Sequence, residues 1–390
     1  MEKILHTFKS HMRQYAMIIA LVAIMILFQV TTGGILLKPL NVTNLVLQNS
    51  YILVLAIGML LCILTGGNID LSVGSVAAFV GAVSATFIVT FHMPVFPALI
   101  LSLIIGALAG AWQGYWIAYV RIPAFIVTLS GMLVFRGFTM ITLKGQTLAP
   151  FPVSYQKIAS GFIPDVLRGG GEGLHITTLV IGVVCAIVYL ISVLRDRRSK
   201  QKYDFVVSSI PVFALKVGLM MVVINTFTYW LARYRGIPNV LVLLTVLVMA
   251  YTFMTNKTIV GRHIYAFGGN EKAAKLSGVK TNRVLFGVYV NMSVLAALAG
   301  IIFAGRLNAA TPKAGTLFEL DAIASCFIGG ASATGGVGTI IGAIIGGLIM
   351  GVLNNGMSIM GISIDWQQSI KGLVLLFAVA FDVYSKSKSK

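Results

Sequence analysis

Charge is what this sequence has least of, and acidic charge above all. Asp, Glu, Lys and Arg make up 10% of its 390 residues, with 11 acidic against 29 basic. Soluble globular domains carry about 25% charged residues, so that class is excluded. Cysteine is scarce as well. Cys62, Cys185 and Cys326 lie inside apolar runs without metal-ligand spacing, which argues against a disulfide framework and predicts buried free thiols. His6, His11, His92, His175 and His263 form no cluster, and the chain has neither a G-x-x-x-x-G-K-S/T loop nor an H-E-x-x-H motif. The sequence therefore reads as no enzyme, with no metal or cofactor of its own.

What it has in abundance is apolar sequence. Hydrophobic residues reach 58%, mean hydropathy is +0.94, and runs near the bilayer-spanning length of roughly 20 residues recur from end to end. The reading is an all-α polytopic membrane protein of about 10–12 transmembrane helices, a single membrane domain over 1–390. Candidate spans are 15–37, 50–66, 71–91, 97–119, 123–143, 175–194, 211–232, 237–254, 284–304, 318–334, 337–357 and 364–382. The first is too long for the apolar core of a signal peptide and is read as a retained span.

Twelve crossings place both termini on one side. The net charge of +18 is concentrated in the N-terminus, "RDRRSKQK" (Arg195–Lys202), the Thr255–Arg283 loop and the "SKSKSK" tail. All four fall on one side of that path, which the positive-inside rule makes cytoplasmic. Membrane lipid, rather than nucleic acid, is the partner this charge implies. The 144–174 segment, with "RGGGEG" at Arg168–Gly173, then lies outside, as a docking surface or a flexible connector. Within the spans, Gly106, Gly110 and Gly114 recur every fourth residue, as do Gly342 and Gly346, then Gly347 and Gly351. That spacing bares one helix face for close packing.

Two glycine-rich breaks interrupt the apolar sequence without a basic residue: "TGGNIDLSVGS" at 65–75 and "GGASATGGVGT" at 329–339. Non-helical backbone at membrane depth is tolerated where it lines water or is buried in protein. Paired interruptions in two halves of a transporter point to the substrate path. Asn68, Asp70, Ser72 and Gly74 in the first, with Gly329, Gly330, Gly335 and Gly336 in the second, are the candidate pathway residues. A carboxylate there persists where it caps a helix, pairs or meets substrate. Asp70 also stands where it would cap a helix opening at Leu71, with Ser72 as a further acceptor. Arg136 lies well inside a span, with Asp70 as one candidate partner. Glu319 and Asp321 suit the N-terminus of a late helix, and Trp112, Tyr115, Trp116 and Tyr119 suit an interfacial aromatic belt.

The 255–283 loop contains "IVGRHIYAFGGNEKAAKLSGVKTNR". Asn270 is a good N-cap, Glu271 suits a first turn, Lys275 a last turn, and Gly278 a left-handed closure, so a short helix over about 271–277 is predicted. Ala273 and Ala274 give it a smooth surface suited to a partner's groove.

At these residues a resemblance emerges. "GGNIDLSVGS", "VRIPAFIVTLSGMLVFRG" (Val120–Gly137) and "ELDAIASCFIGGASATGGVGTIIGA" (Glu319–Ala343) resemble three signature stretches of bacterial monosaccharide ABC transporter permeases. The likeness covers nearly the whole chain. The extra segment around Arg195–Arg235 makes it most similar to the multiple-monosaccharide and xylose permeases. Gly67-Asn68 departs from the usual residues before Ile-Asp.

The resemblance implies a permease subunit of the bacterial inner membrane that forms the path for xylose, galactose, arabinose or a similar sugar. It also implies a cytoplasmic ATPase using ATP and magnesium, an external sugar-binding protein and a second permease copy. Gly261, Arg262, Ala266, Gly268, Asn270, Ala273, Ala274, Ser277 and Gly278 match the loop that contacts the ATPase in such permeases. The alternative is a proton-coupled secondary sugar transporter with Asp70 as its protonation site.

Overall fold

The computed structural model describes residues 12–167, 173–203, 205, 207 and 209–387. Lys3 and Lys9 of the N-terminus, Arg168–Glu172 of the glycine-rich loop, and Lys388 and Lys390 of the tail lie outside the described residues. The described residues are mainly helical: α1 (Met12–Thr31), α2 (Pro39–Leu64), α3 (Val73–Ala85, extended by a π turn to Thr90), α4 (Val95–Ala118) and α5 (Ala124–Leu143). A short α6 (Val153–Ser160) precedes α7 (Ile176–Lys202), α8 (Ile210–Ala232) and α9 (Asn239–Lys257). Two small helices, α10 (Ile259–Gly269) and α11 (Glu271–Leu276), lead into α12 (Thr281–Leu307), α13 (Phe318–Ile328), α14 (Ile340–Ile359) and α15 (Ile364–Ser387). Among the described residues, nine helices are long and apolar enough to cross a membrane.

The core forms around α12, which packs against α2, α3 and α4. Small residues make this approach possible. A Cβ on Gly110 of α4 would lie 2.7 Å from the Tyr289 carbonyl oxygen and 2.8 Å from Ser293 Cβ, and one on Gly114 would lie 3.1 Å from the Phe286 oxygen. The predicted glycine ridge is therefore a helix-packing face. On α14 the two glycine sets face different neighbours: Gly342 and Gly346 meet α13, while Gly347 and Gly351 meet Leu53 and Asn49 of α2. The apolar window of α2 is 83% buried, whereas that of α8 is 6% buried. Helices α7 and α8 pack mainly on each other, with Gly182 against Thr228, and form a peripheral hairpin.

Several expectations are corrected. Helix α2 begins at Pro39, not near residue 50, with proline in its first turn. The basic run Arg195–Lys202 is the last two turns of α7, not a loop. The span expected over 318–334 is the 11-residue α13, about half the length a bilayer requires. It is preceded by a turn folded into the bundle, where Arg136 Nη1 donates to the Ala314 oxygen (2.6 Å) and the Pro312 oxygen (3.3 Å). Arg136 thus anchors that turn and does not pair with Asp70. Cys62 and Cys326 are buried free thiols, but Cys185 is exposed on α7. Trp112, Tyr115, Trp116 and Tyr119 all face outward, as a lipid-facing belt requires.

The segment from 144 to 167 is no slack connector. Tyr155 is buried, stacks on Phe151 with ring centroids 4.2 Å apart, and accepts a hydrogen bond from Ser84 Oγ (2.9 Å). Asp165 accepts from the backbone of Ile176 and Thr177 and from the Thr177 hydroxyl, which dock the start of α7. The Thr177 hydroxyl above all holds its carboxyl down at about 2.

Gly110→Ala should destabilise the detergent-extracted chain by about 1–3 kcal/mol through overpacking against α12. Gly137→Ala, with nothing within 4 Å of an added Cβ, should melt as wild type. Equal melting temperatures for the two variants would contradict the packing assigned to α4 and α12.

Candidate functional site

The first break starts where α2 runs out of helix at Leu64. Gly66 and Gly67 follow with φ of +88° and +78°, a left-handed pair that turns the chain back. The second break meets it there. Gly336 N–H donates to the Leu64 oxygen (3.0 Å), a Cβ on Gly335 would lie 2.5 Å from Gly66 N, and one on Gly67 would overlap the Ala333 oxygen. Gly268, at the end of α10, completes the contact: its Cβ would overlap the Leu64 oxygen and lie 2.5 Å from Gly336 N. Three glycine pairs, 66–67, 268–269 and 335–336, thus form one backbone junction. Tyr265 adds a tie, donating from its hydroxyl to the Gly338 oxygen (2.7 Å).

Beyond the junction lies a buried polar cluster. The Ser72 N–H and hydroxyl both donate to Asp70 Oδ1 (2.8 and 2.6 Å), which holds the loop ahead of α3. The helix itself opens at Val73 rather than Leu71, so Asp70 braces Ser72 and does not cap the helix directly. The Ser72 hydroxyl also lies 3.0 Å from Gln113 Oε1 of α4. Tyr289 and Ser293, one turn apart on α12, pack against Gly114 and Gly110 of α4, the glycines on either side of Gln113 in the chain. Asp70, Ser72, Gln113 and Tyr289 are each fully buried. Asp70 Oδ2, Gln113 Nε2, Ser75 Oγ, Tyr289 OH and Ser293 Oγ have no hydrogen-bond partner among the described residues.

The other expected pathway residues divide. Asn68 lines a cleft of about 420 Å³ with Thr65, Arg121, Asn270 and Glu271, on the α10–α11 side of the junction. Gly74 packs on Gly315 and Glu319. Gly329 sits in the crossing of α13 with α14, and Gly330 lies beside Met17, so neither joins the cluster. Glu319 and Asp321 occupy the first turn of α13, and Asp321 pairs with Lys371 of α15 (3.0 Å).

The predicted short helix is α11. Asn270 caps it by accepting from Ala273 N–H (3.0 Å), and Gly278 closes it at φ +88°. Thr258 caps α10 through Gly261 N–H (3.3 Å), and Gly261 itself packs on the Thr255 and Met254 backbone. Arg262, Ala266, Ala273 and Ser277 are exposed. Ala274 is buried against the chain's own fold, so it supports α11 rather than presenting a surface.

Sequence reasoning missed three features. Leu276 is 90% exposed at the end of α11, an apolar side chain whose only signal in the sequence is a lone leucine after Lys275. Arg121, at φ +66° in the α4–α5 turn, pairs with Glu271 (2.7 Å) and donates to Asn282, tying α11 to α4 and α12. Gln113, Tyr289 and Ser293 carried no local signal at all.

A family model described as "Branched-chain amino acid transport system / permease component" matches residues 41–379. The xylose transport system permease of Haemophilus influenzae is 39% identical over 378 residues, 97% of this chain and 98% of that protein. Its counterpart in Escherichia coli is 38% identical, covering 97% and 94%. The ribose import permease of Bacillus subtilis is 38% identical, covering 89% and 85%. No solved structure matches the chain. With the family model spanning most of the sequence and relatives aligned almost end to end, this chain belongs to the family of transport-system permeases, as a multi-pass membrane subunit and not an enzyme.

Proposed function

We propose that this chain is the membrane-spanning subunit of an ATP-driven monosaccharide importer in the bacterial plasma membrane, with xylose the first sugar to test. Both termini and the α10–α11 pair face the cytoplasm in this reading. A cytoplasmic ATPase binding ATP and magnesium docks on α11, an external binding protein delivers the sugar, and a second copy of the chain completes the channel.

One observation carries the reading. The small helices that a partner would push on share a backbone junction with both glycine breaks, and the first break holds the polar cluster. Leu276 supplies an exposed apolar side chain for a partner's groove to cover. Force on α11 passes through Arg121 into the α4–α5 turn and through Gly268 into Leu64 and Gly336. Backbone in direct contact has no side chain to absorb such a shift. Parting the junction would join the Asn68 cleft to the Asp70 cluster, whose unmade hydrogen bonds suit the hydroxyl groups of a sugar. Each unpaired buried group costs about 1–3 kcal/mol, so cargo that satisfies it lowers the barrier to passage. The relatives give no support to the proton-coupled alternative.

Leu276→Asp should reduce copurification of the ATPase by tenfold or more, the effect of losing about 1.4 kcal/mol or more at an interface anchor. ATP-dependent uptake in proteoliposomes should fall with it, while the chain elutes as wild type. Undiminished copurification would remove α11 as the docking element.

Asp70→Asn keeps an acceptor for Ser72 and should leave melting unchanged while uptake falls. Asp70→Ala strands the Ser72 N–H and should lower stability by about 1–3 kcal/mol. Full uptake by a well-folded Asp70→Asn variant would take the carboxylate out of the pathway.

A further inference from the structure

A cleft of about 730 Å³ separates α9 from α12 at the end of the bundle that carries α10. Tyr251 and Met254 form one wall, Val284 and Val288 the other, and Ile264 of α10 closes the end. Across the cleft the Tyr251 hydroxyl donates to Asn291 Oδ1. At the rim stand His263, Lys280 and Arg283, and none of the lining residues is acidic. The nearby carboxylate of Glu271 is already paired with Arg121. Lys280 sits at the start of α12, whose first turn has no side-chain cap. The positive end of that helix therefore adds to the cationic rim.

We propose that this cleft binds one anionic phospholipid of the cytoplasmic leaflet, its acyl chain between α9 and α12 and its phosphate on Lys280 and Arg283. The leaflet assignment rests on the orientation proposed above. The volume falls within the roughly 300–1,000 Å³ of sites that hold small organic ligands. The walls between the two spanning helices are mostly apolar, a surface that takes hydrocarbon readily. Basic pockets between spanning helices on the cytoplasmic side suit acidic headgroups. A second copy of the chain is the weaker occupant, because it brings 29 basic residues and 11 acidic ones to a rim that is already cationic. A lipid seated there lies against Ile264 and Leu61, one turn from the Gly268–Leu64 contact, and so braces α10 against the bundle.

The test is native mass spectrometry of the full chain after extraction and repeated detergent washing. It is paired with exchange into nanodiscs of phosphatidylcholine containing phosphatidylglycerol. Wild type should retain phosphatidylglycerol over phosphatidylcholine. Each basic residue near an acidic headgroup contributes about a fivefold preference, so the double variant Lys280→Gln, Arg283→Gln should lower that retention roughly 30-fold. Gly287 lines the cleft with nothing within 4 Å of an added Cβ. Gly287→Leu should therefore fill the cleft, displace the lipid and leave the elution profile unchanged. Phosphatidylglycerol retention at the wild-type level in both variants, or equal retention of the two lipids by wild type, would overturn the proposal. So would loss of a dimer in Gly287→Leu with lipid unchanged, which would make the cleft a contact between copies. The readout requires neither sugar nor ATPase, so failure of the transport reading would show in uptake and leave retention untouched.

Discussion

The structure depends on backbone touching backbone. Where Leu64, Gly268 and Gly336 meet, a Cβ on Gly268 would overlap the Leu64 oxygen and one on Gly336 would lie 3.0 Å from the Gly268 backbone, and one hydrogen bond from Gly336 to Leu64 seals the contact. Everything around it follows from that closeness. Helix α2 must stop at Leu64, both breaks must turn through left-handed glycines, and α10 must end in glycine to approach them. Membrane helices lack a strong hydrophobic force between them, so packing of small residues is what draws them together. The α4–α12 ridge and the two glycine faces of α14 apply the same rule along the spans. At the junction it operates between loops.

Closeness also explains how the polar cluster is tolerated. Asp70 is fully buried, a setting in which an unpaired carboxylate oxygen is expensive. Ser72 satisfies one oxygen twice, and the other is left open. The rest of the bundle over-determines the position: α3 is pinned by Gly74 on Gly315, and the 308–317 turn by Arg136. A site with unmade hydrogen bonds persists only inside such a frame.

Local chemistry was legible in the sequence and non-local chemistry was not. The cap at Asn270 and the closure at Gly278 are decided within eight residues, and both formed as read. The glycine ridge on α4 declared itself by spacing alone. Helix α2 was cut short because Asn41, Thr43 and Asn49 break the hydropathy near its start. In the fold these polar groups are buried or paired, Asn41 with Asn355 of α14 (2.8 and 3.1 Å). The opposite error made a span of 318–334, where an apolar run conceals a helix that stops at Ile328. Hydropathy ends at the membrane surface while hydrogen bonding does not, which is why α7 carries its helix through Lys202. Gln113 meets Ser72 from 41 residues away, and no pattern near residue 70 could announce it.

A closed junction of this kind is tight without being strong. Interdigitated side chains would have to leave their rotamers and lose many contacts at once before two segments could part. Glycine backbones separated by a single hydrogen bond lose little contact area when they part, and water or cargo replaces the bond with an equivalent one. The barrier to opening then lies less in the junction than in moving the elements fixed to it. Arg121 and the cap at Asn270 make α10 and α11 one such element, attached to the α4–α5 turn and to α12. In the transport reading proposed above, a small rotation of that pair would act on Leu64 and Gly336 together, and the two breaks would open or close as one.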